Sequence, residues 1–214
     1  MKGCLIFNMK SKILFQGAEA IISLKDNKII KNRTKKAYRL PELDIKLRKK
    51  RTKSESKIMN KLYSLINVPK ILETKENEII MEYIQGEKLS DTLDNLKNKY
   101  EIAFQIGQET AKIHDSDIIH GDLTTSNMIY VEDKTNKNNF KVYFIDFGLG
   151  FHSAKIEDKA VDLHLIKQAL EAKHYKNHEE LFKSIIKGYN SKDKDKILKQ
   201  LEKVESRGRY KDKH

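Results

Sequence analysis

Two short stretches of the chain decide its fold, His120-Gly-Asp-Leu-Thr-Thr-Ser-Asn127 and Phe144-Ile-Asp-Phe-Gly148. A strand-like segment, Met128-Ile-Tyr-Val131, follows the first stretch, and the second stretch completes another strand-like segment that begins at Phe140. The first stretch holds a carboxylate and, five residues later, an amide. The second holds a further carboxylate directly after its strand. Carboxylate and carbonyl oxygens are the ligands that magnesium prefers in proteins. Each stretch alone is a modest signal, but the two in this order, each tied to a strand, are seldom accidental.

The two stretches resemble the catalytic motifs of protein kinases. The first matches H-R-D-x-x-x-x-N with glycine in place of arginine, and the second contains D-F-G. Phosphoryl transfer needs a carboxylate beside the attacking oxygen and oxygen ligands for the magnesium on the phosphates. The pattern therefore predicts ATP and Mg²⁺ as cofactors, Asp122 as the catalytic base, and Asn127 and Asp146 as magnesium ligands. The alternative is a pair of polar turns that flank a hairpin and have no catalytic role.

The region upstream should supply a lysine for the nucleotide phosphates and a helix carboxylate that holds this lysine. Lys31 ends the third strand-like segment, Ile29-Ile-Lys31, and we expect it to bind the phosphates. Glu55 lies one turn before Ile58 in an amphipathic helix that begins near Pro41, and we expect it to pair with Lys31. The alternative for both residues is an ordinary surface charge, since lysine and glutamate are common in the chain.

Two departures separate the chain from ordinary protein kinases. The hairpin that should carry a glycine-rich phosphate loop reads Gln16-Gly-Ala-Glu-Ala20. It offers a single glycine, Gly17, for the nucleotide, and it has an acid where the phosphates would lie. No A-P-E motif follows Gly148, and the segment up to Asp162 contains one hydroxyl side chain, Ser153. Such a short activation segment cannot build a peptide-docking platform or a phosphorylation switch.

The chain divides into parts of different character. Residues 1–85 are predicted to form short strands around one main helix, and residues 86–205 a helical lobe with both catalytic stretches. Residues 206–214 form a basic tail. The predicted fold class is α+β and protein-kinase-like, with a small strand-rich N-lobe, a helical C-lobe and a truncated activation segment. In the hinge between the lobes, Glu82 and Ile84 are expected to contact the nucleotide.

Composition excludes several classes of protein. No apolar run approaches the roughly 20 residues that a membrane span needs. A single cysteine, Cys4, excludes an internal disulfide and a cysteine-based zinc cluster. The apolar run at the N-terminus is too short for the core of a signal peptide. We therefore expect a cytoplasmic protein that does not associate with membranes, with the nucleus also possible in a eukaryote.

The charge of the chain points to a polyanionic partner. Its 43 lysine and arginine residues outnumber its 31 aspartate and glutamate residues, which gives a net charge of +12. Such an excess favours encounter with nucleic acid, and the alternative is a solvated surface that reflects a bias toward lysine. The basic tail, Ser206–His214, is predicted to be mobile and to reach a phosphate backbone, unless it is only a solubilising end.

Further motifs occur in the order that one family shows. They are Gln16-Gly-Ala-Glu-Ala20, Tyr38-Arg-Leu-Pro-Glu-Leu-Asp44, Arg51-Thr52 with Glu55, His120–Asn127, Ile145-Asp-Phe-Gly-Leu-Gly150 and Asp158-Lys-Ala-Val-Asp162. The chain therefore resembles the small atypical kinase/ATPase subunit of the KEOPS complex. The resemblance extends from about residue 13 to Arg207-Gly-Arg209, which is nearly the whole chain.

The resemblance implies a specific activity and specific partners. Members of this family work beside the threonylcarbamoyl-transferring subunit and other KEOPS-type subunits in making N6-threonylcarbamoyladenosine on tRNA. Their ATPase activity supports that modification, and they can phosphorylate serine. Carried over residue by residue, Lys31 and Glu55 serve the nucleotide, Asp122 is the base, and Asn127 and Asp146 bind magnesium. The resemblance also implies that Asp162 braces the catalytic loop.

Two other classes of function remain as alternatives. Small-molecule phosphotransferases of the aminoglycoside or choline kinase type also use H-G-D and I-D-F-G. Those enzymes usually have a larger helical lobe that forms the acceptor pocket, and few residues follow Asp162 here. A non-catalytic scaffold with a kinase fold is the other alternative. Retention of Lys31, Asp122, Asn127 and Asp146 argues against it, because a scaffold needs none of them.

Overall fold

A computed structural model describes residues 11–133 and 139–209 of the chain. Five antiparallel strands form the N-terminal sheet in the order β1-β2-β3-β5-β4. These strands are β1 (Lys12–Gln16), β2 (Ala20–Lys25), β3 (Lys28–Arg33), β4 (Ile71–Thr74) and β5 (Glu78–Glu82).

The β2–β3 hairpin fixes the register of the lysine strand. Its turn residues, Asp26 and Asn27, have φ of 50° and 57°. Aspartate and asparagine tolerate this left-handed conformation, which a tight two-residue hairpin turn requires. The ladder that follows pairs Lys31 with Ile22 on one side and with Ile79 of β5 on the other. Lys31 therefore lies on the central strand of the sheet.

A long helix, α1 (Pro41–Leu62), packs against β4 and β5. Pro41 begins the helix, where the N–H that proline lacks would have no partner within the helix. Glu55, Ile58 and Leu62 follow one another at spacings of three and four residues, so they share one face of the helix, and all three are buried. The carboxylate of Glu55 consequently lies on the face that packs on the sheet.

Helices dominate the second half of the chain. The helices are α2 (Leu89–Thr92), α3 (Lys99–Asp115), α4 (Ile156–Lys173), α5 (His178–Gly188) and α6 (Lys194–Arg209). Short strands β6 (Glu87–Lys88), β8 (Met128–Glu132) and β9 (Phe140–Phe144) form one sheet, in the order β6-β8-β9. Strands β7 (Ile118–Ile119) and β10 (Phe151–His152) form a second.

The catalytic stretches lie between these packed elements. Helix α3 packs on α5, and α4 packs on α6. One apolar core includes Ile58 and Met81 from the first half of the chain together with Ile106 and Phe144 from the second. Because this core is continuous, it joins the strand-rich lobe to the helical lobe behind the catalytic stretches. The architecture is α+β, as the sequence predicts.

The last helix is longer than the sequence suggests. Residues 206–209 were expected to begin a mobile tail, but they continue α6, and Nη1 of Arg207 lies 2.5 Å from Oε1 of Glu157 on α4. Residues 210–214, like Cys4, lie outside the described residues. In the ranges that the structure describes, no helix combines the length and the apolar character needed to cross a membrane.

Candidate active site

An ionic cluster joins three of the residues predicted from the sequence. Nζ of Lys31 lies 2.6 Å from Oε1 of Glu55 and 2.7 Å from Oδ1 of Asp146. The structure thus brings together a strand, a helix and the segment after β9, which are far apart in the chain. Burial would raise the pKa of Asp146, but the Lys31 ammonium and the backbone N–H of Gly148 hold that pKa below its ordinary value. Asp146 is therefore ionised and ready to bind a cation at neutral pH.

Arg33 belongs to the same cluster, although it is not among the residues predicted from the sequence. Its Nη2 lies 2.5 Å from Oε2 of Glu55, so the two oxygens of Glu55 bind two different cations. The signal in the sequence is the period of two along a strand, which puts Arg33 on the same face of β3 as Lys31. Both Arg33 and Glu55 are almost fully buried, at 5% and 1% exposure.

The catalytic loop orients its two polar side chains by a direct contact. Nδ2 of Asn127 donates hydrogen bonds to Oδ2 of Asp122, at 2.8 Å, and to the Asp122 carbonyl oxygen, at 3.0 Å. Because the amide nitrogen is engaged, the amide oxygen of Asn127 is the atom that can bind a metal. Oδ1 of Asp122 takes no part in these two hydrogen bonds, and because the residue is only half-buried, this oxygen could accept a proton from an attacking hydroxyl or water.

Glycine replaces the usual arginine at position 121 for a steric reason. Gly121 has φ of 77°, a conformation that side chains rarely adopt. A Cβ at this position would lie 2.5 Å from the carbonyl oxygen of Leu149. The catalytic loop and the segment after the D-F-G motif therefore approach too closely for any side chain.

Asp162, on α4, binds the backbone at the start of the catalytic loop and so braces the loop. Its Oδ2 accepts a hydrogen bond from the backbone N–H of His120, at 2.7 Å, and its Oδ1 accepts one from Gly121, at 2.9 Å. Nε2 of His114 also lies 3.3 Å from Oδ2, and Nδ1 of the same ring lies 2.7 Å from the hydroxyl oxygen of Tyr189. Burial would raise the pKa of Asp162, but these hydrogen bonds hold it below its ordinary value.

The ring of His120 links the catalytic loop to the D-F-G motif. Burial lowers the pKa of His120, so the ring is neutral at neutral pH. Its Nδ1 accepts the backbone N–H of Asp122 at 3.3 Å, and its Nε2–H donates to the carbonyl oxygen of Ile145 at 3.2 Å. The ring also packs on the buried ring of Phe147, with 4.4 Å between centroids. Asp122 and Asp146 are thus held relative to each other.

The loop between β1 and β2 is tied to helix α1. Oε2 of Glu19 lies 2.8 Å from Nη1 of Arg51, and Oε1 lies 3.8 Å from Nζ of Lys36. Lys36 also donates to the carbonyl oxygen of Ala18. The acid that the sequence puts in the phosphate loop is therefore neutralised by cations of this chain. Gly17 lies in this loop, where its N–H donates to the carbonyl oxygen of Ala20 at 3.0 Å.

Glu82 and Ile84 are not part of the ionic cluster. Glu82 ends β5 opposite Lys28, three residues along the strand from the pairing partner of Lys31. Its Oε2 accepts the backbone N–H of Lys70 at 3.2 Å. The side chain of Ile84 is buried. The carboxylate of Glu82 and the side chain of Ile84 therefore already have partners within the chain, and their backbone groups are what they could offer to a nucleotide base.

The segment after the D-F-G motif is short and fixed. Phe151 pairs with Ile119 and His152 with Ile118, so β10 lies beside β7 at the start of the catalytic loop. The hydroxyl of Ser153 donates to Oδ2 of Asp158 at 2.6 Å. The single hydroxyl in this segment therefore has a structural partner.

The residues present fit a magnesium–nucleotide complex. Magnesium is usually bound by one or two side-chain oxygens, and phosphates and water complete its shell. Asp146 supplies a carboxylate and Asn127 an amide oxygen, while Lys31 supplies a charge for the phosphates. In the described ranges no three histidine, cysteine, aspartate or glutamate side chains gather as a metal cluster. The donor set accordingly suits a metal that arrives with the nucleotide.

Comparison with known proteins identifies relatives over nearly the whole chain. The RIO domain family matches residues 22–156. The KEOPS complex subunit Bud32 of Pyrococcus abyssi is 42% identical over 220 residues, which cover 94% of this chain and 97% of that protein. A probable serine/threonine-protein kinase BUD32 homolog of Archaeoglobus fulgidus is 34% identical over 199 residues, with 92% and 95% of the two chains covered.

Two other matches are of a different kind. The first is to a much longer protein, and the second shows a similar fold at low sequence identity. A probable bifunctional tRNA threonylcarbamoyladenosine biosynthesis protein of Methanobrevibacter smithii is 38% identical over 212 residues, which cover 94% of this chain and 37% of that protein. The Rio2 kinase–ADP/Mg²⁺–phosphoaspartate complex of Chaetomium thermophilum has a TM-score of 0.62 at 15% identity, with 95% of this chain and 71% of that chain covered. This last likeness confirms the predicted kinase-like fold.

Proposed function

The chain belongs to the RIO domain family and, within it, to the Bud32-type subunits of KEOPS complexes, and on that premise we propose that it is an atypical serine/threonine kinase or ATPase. Its activity supports threonylcarbamoyladenosine modification of tRNA within a KEOPS-type complex. The names of the relatives support this assignment, since they include KEOPS subunits, a kinase and tRNA threonylcarbamoyladenosine biosynthesis proteins.

One observation carries the catalytic part of the proposal. Nζ of Lys31 lies between the carboxylates of Glu55 and Asp146, while Asp122 and Asn127 are hydrogen bonded to each other in the adjoining loop. This is the set of charges that phosphoryl transfer requires: a cation for the phosphates, oxygen ligands for magnesium and a carboxylate for the nucleophile.

Each residue then has a distinct task when ATP binds. Lys31 would keep its bond to Glu55 and turn from Asp146 to the phosphates. Asp146 and the amide oxygen of Asn127 would hold magnesium, which when bound supplies positive charge beside the phosphates. Asp122 orients the nucleophile and accepts its proton through the carboxylate oxygen that does not bind Asn127. The backbone of the hinge at Glu82 and Ile84 would contact the base, and Gly17 would contribute to binding the phosphates.

The nucleophile in this proposal is water or a serine hydroxyl. The short, fixed segment after Phe147 leaves no platform for a peptide substrate, which favours hydrolysis or a substrate held by a neighbouring subunit. We propose the threonylcarbamoyl-transferring subunit as the direct partner, other KEOPS-type subunits and tRNA as members of the assembly, and the cytoplasm as its compartment, with the nucleus added in a eukaryote.

ATP turnover tests the proposal directly. Turnover would be measured for the wild type alone, with the purified transferase subunit, and with that subunit and tRNA. We expect magnesium-dependent turnover and, in the full mixture, tRNA threonylcarbamoylation that depends on this chain. Asp122→Asn should keep nucleotide affinity and lose about 10²- to 10⁴-fold in turnover, whereas Asp193→Asn, on the surface, should match the wild type. Transfer that proceeds equally without this chain would refute the assignment.

A further inference from the structure

Helix α1 carries a row of lysines on the face opposite the catalytic glutamate. Lys46, Lys50, Lys53 and Lys57, here called the lysine stripe, are all exposed. At 3.6 residues per turn, these positions fall within an arc of roughly 60° around the helix axis. Glu55 lies on the buried side of the same helix. The stripe is therefore a continuous feature of the outer surface, separate from the ionic cluster.

The lysine stripe lacks neutralising partners within the chain. Among residues 11–133 and 139–209, no carboxylate lies within ion-pair distance of any of its four ammonium groups. Other cations of the same helix are paired: Lys49 lies 2.5 Å from Glu76, and Arg51 lies 2.8 Å from Glu19. Lys46–Lys50 and Lys53–Lys57 are also like charges at i and i+4, an arrangement that destabilises a helix. The stripe thus carries uncompensated charge that the fold itself does not need.

The lysine stripe also lacks the apolar residues that a protein interface uses. The large exposed apolar side chains of α1 are Leu43 and Ile45, which precede the stripe, and none of that kind falls between Lys46 and Lys57. Protein interfaces are built around buried apolar or aromatic anchors and are depleted in lysine. A row of ammonium groups without such an anchor suits a polyphosphate, which binds mainly through charge.

We propose that the lysine stripe binds the sugar–phosphate backbone of RNA. This inference rests on the proposed function, in which tRNA is the RNA concerned. From Lys46 to Lys57 the helix rises about 16 Å. Phosphates follow one another at about 3.4 Å of rise along one strand of a duplex, so the stripe can meet several of them. Because the stripe lies opposite Glu55, it holds RNA on the outside of the N-lobe and leaves the nucleotide cleft open.

A charge-neutral variant of the full chain tests the inference. In the variant, Lys46→Gln, Lys50→Gln, Lys53→Gln and Lys57→Gln are combined, since glutamine removes the charge and has a helix propensity close to that of lysine. Binding of a tRNA transcript would be measured over a range of salt concentrations. In a plot of log affinity against log salt concentration, each lost phosphate contact should make the slope shallower by about 0.7 to 0.9. Loss of four contacts should therefore reduce the magnitude of the slope by about 3. At about 0.1 M salt we expect affinity to fall at least about tenfold.

A second variant controls for net charge. Lys173, Lys183, Lys196 and Lys199 are exposed on α4, α5 and α6, and their combined change to glutamine removes the same charge. This control should bind tRNA almost as the wild type does. Basal ATP turnover should be unchanged in both variants, because none of the eight lysines belongs to the catalytic cluster. If the two variants lost tRNA affinity equally, tRNA binding would depend only on the net charge of the protein, and the inference would be overturned.

The same measurements separate this inference from the proposed function. If the wild type supports tRNA modification but the stripe variant binds tRNA with unchanged affinity and slope, the inference is wrong and the proposed function stands. If the stripe variant keeps its tRNA affinity but no longer binds the purified transferase subunit, the stripe is a protein interface, and the inference is again wrong. A wild type that has no effect on tRNA modification would instead refute the proposed function.

Discussion

Arg33 donates from Nη2 to Oε2 of Glu55 at 2.5 Å, and both side chains are buried. In the kinase arrangement the helix glutamate is expected to depend on the strand lysine. Here Glu55 binds Arg33 as a second cation in addition to Lys31, and in the proposed mechanism it would keep both when Lys31 turns from Asp146 to the phosphates. Helix α1 can therefore stay docked on the sheet throughout nucleotide binding, and its position does not depend on the lysine alone.

Removal of this second cation should cost stability and activity together. In Arg33→Met, Oε2 of Glu55 remains buried without its partner, and we expect a loss of about 1–3 kcal/mol in the free energy of unfolding. ATP turnover should also fall, because Glu55 can draw Lys31 away from the phosphates. Urea unfolding and steady-state turnover measure the two effects. Arg51→Met is the matched control, since its pair with Glu19 is exposed and should be worth no more than about 1 kcal/mol. Equal losses in the two variants would contradict the assigned role.

The register of β3 predicts which lysine serves the nucleotide. Lys31→Met removes the charge that meets the phosphates, and we expect turnover to fall by about 10²- to 10³-fold, as when one group that stabilises transition-state charge is deleted. Lys28→Met, at the exposed end of the same strand, should leave turnover unchanged. Single-turnover assays with saturating ATP would compare them. Similar rates for the two variants would place the phosphate site elsewhere on the strand.

The brace beneath the catalytic loop should be visible in acid stability. Asp162→Asn keeps one acceptor oxygen but turns an amide N–H toward a backbone donor, so we expect a loss of about 1–3 kcal/mol near pH 7. The folded pKa of Asp162 is lowered, so the unfolded state binds more protons between the folded and unfolded pKa values. The stabilisation is therefore present above about pH 4 and is lost as pH falls through the folded pKa. Urea titrations of both proteins at several pH values should show their difference shrinking in acid. A difference that stays constant down to the folded pKa would argue against ionised Asp162 as the brace.

A contrast between two glycines tests the close approach at the catalytic loop. Gly121→Ala forces a side chain into φ of 77° and against the carbonyl oxygen of Leu149, which should cost at least about 1–3 kcal/mol. The Cβ of Gly17→Ala would press on the ring of Phe15, an exposed side chain that can move, and would lie at an ordinary contact distance of 3.6 Å from the carbonyl oxygen of Ala20, so it should change stability by less than about 1 kcal/mol. Thermal unfolding would measure both. The interpretation fails if Gly121→Ala is as stable as the wild type.

Much of the catalytic arrangement follows from the sequence because its residues lie in short contiguous motifs. Asp122 and Asn127 lie in one loop, so the motif alone brings them close together, although the hydrogen bonds between them were not predicted. Lys31 and Glu55 are distant in the chain, but the periods of a strand and of a helix assign each a buried face. Those two faces meet because the helix packs on the sheet. The likeness to a solved Rio2 kinase confirms the kinase-like fold that these motifs predict.

Other features depend on contacts that no local pattern specifies. The ring of His114, on α3, meets Tyr189, which directly follows α5, and this contact requires the packing of α3 on α5. An acid such as Glu19 does not suit a phosphate loop by itself, and the structure has Arg51 beside it, 32 residues away in the chain. The tail was predicted to start at Ser206 from its polarity, but α6 continues to Arg209, and its last turns carry ion pairs from Glu205 to Lys167 and from Arg207 to Glu157 on α4.

The fully buried ring of Phe147 limits which inhibitors can act on this protein. Compounds that require this ring to leave its place on His120 would expose apolar surface worth about 1.5–3 kcal/mol. They would also have to separate Asp146 from Lys31. Such compounds bind a minor conformation, so their apparent affinity falls in proportion to its population, by roughly tenfold or more. Compounds that fill the cleft and leave Phe147 in place avoid this loss, and a drug search against this chain should begin with them.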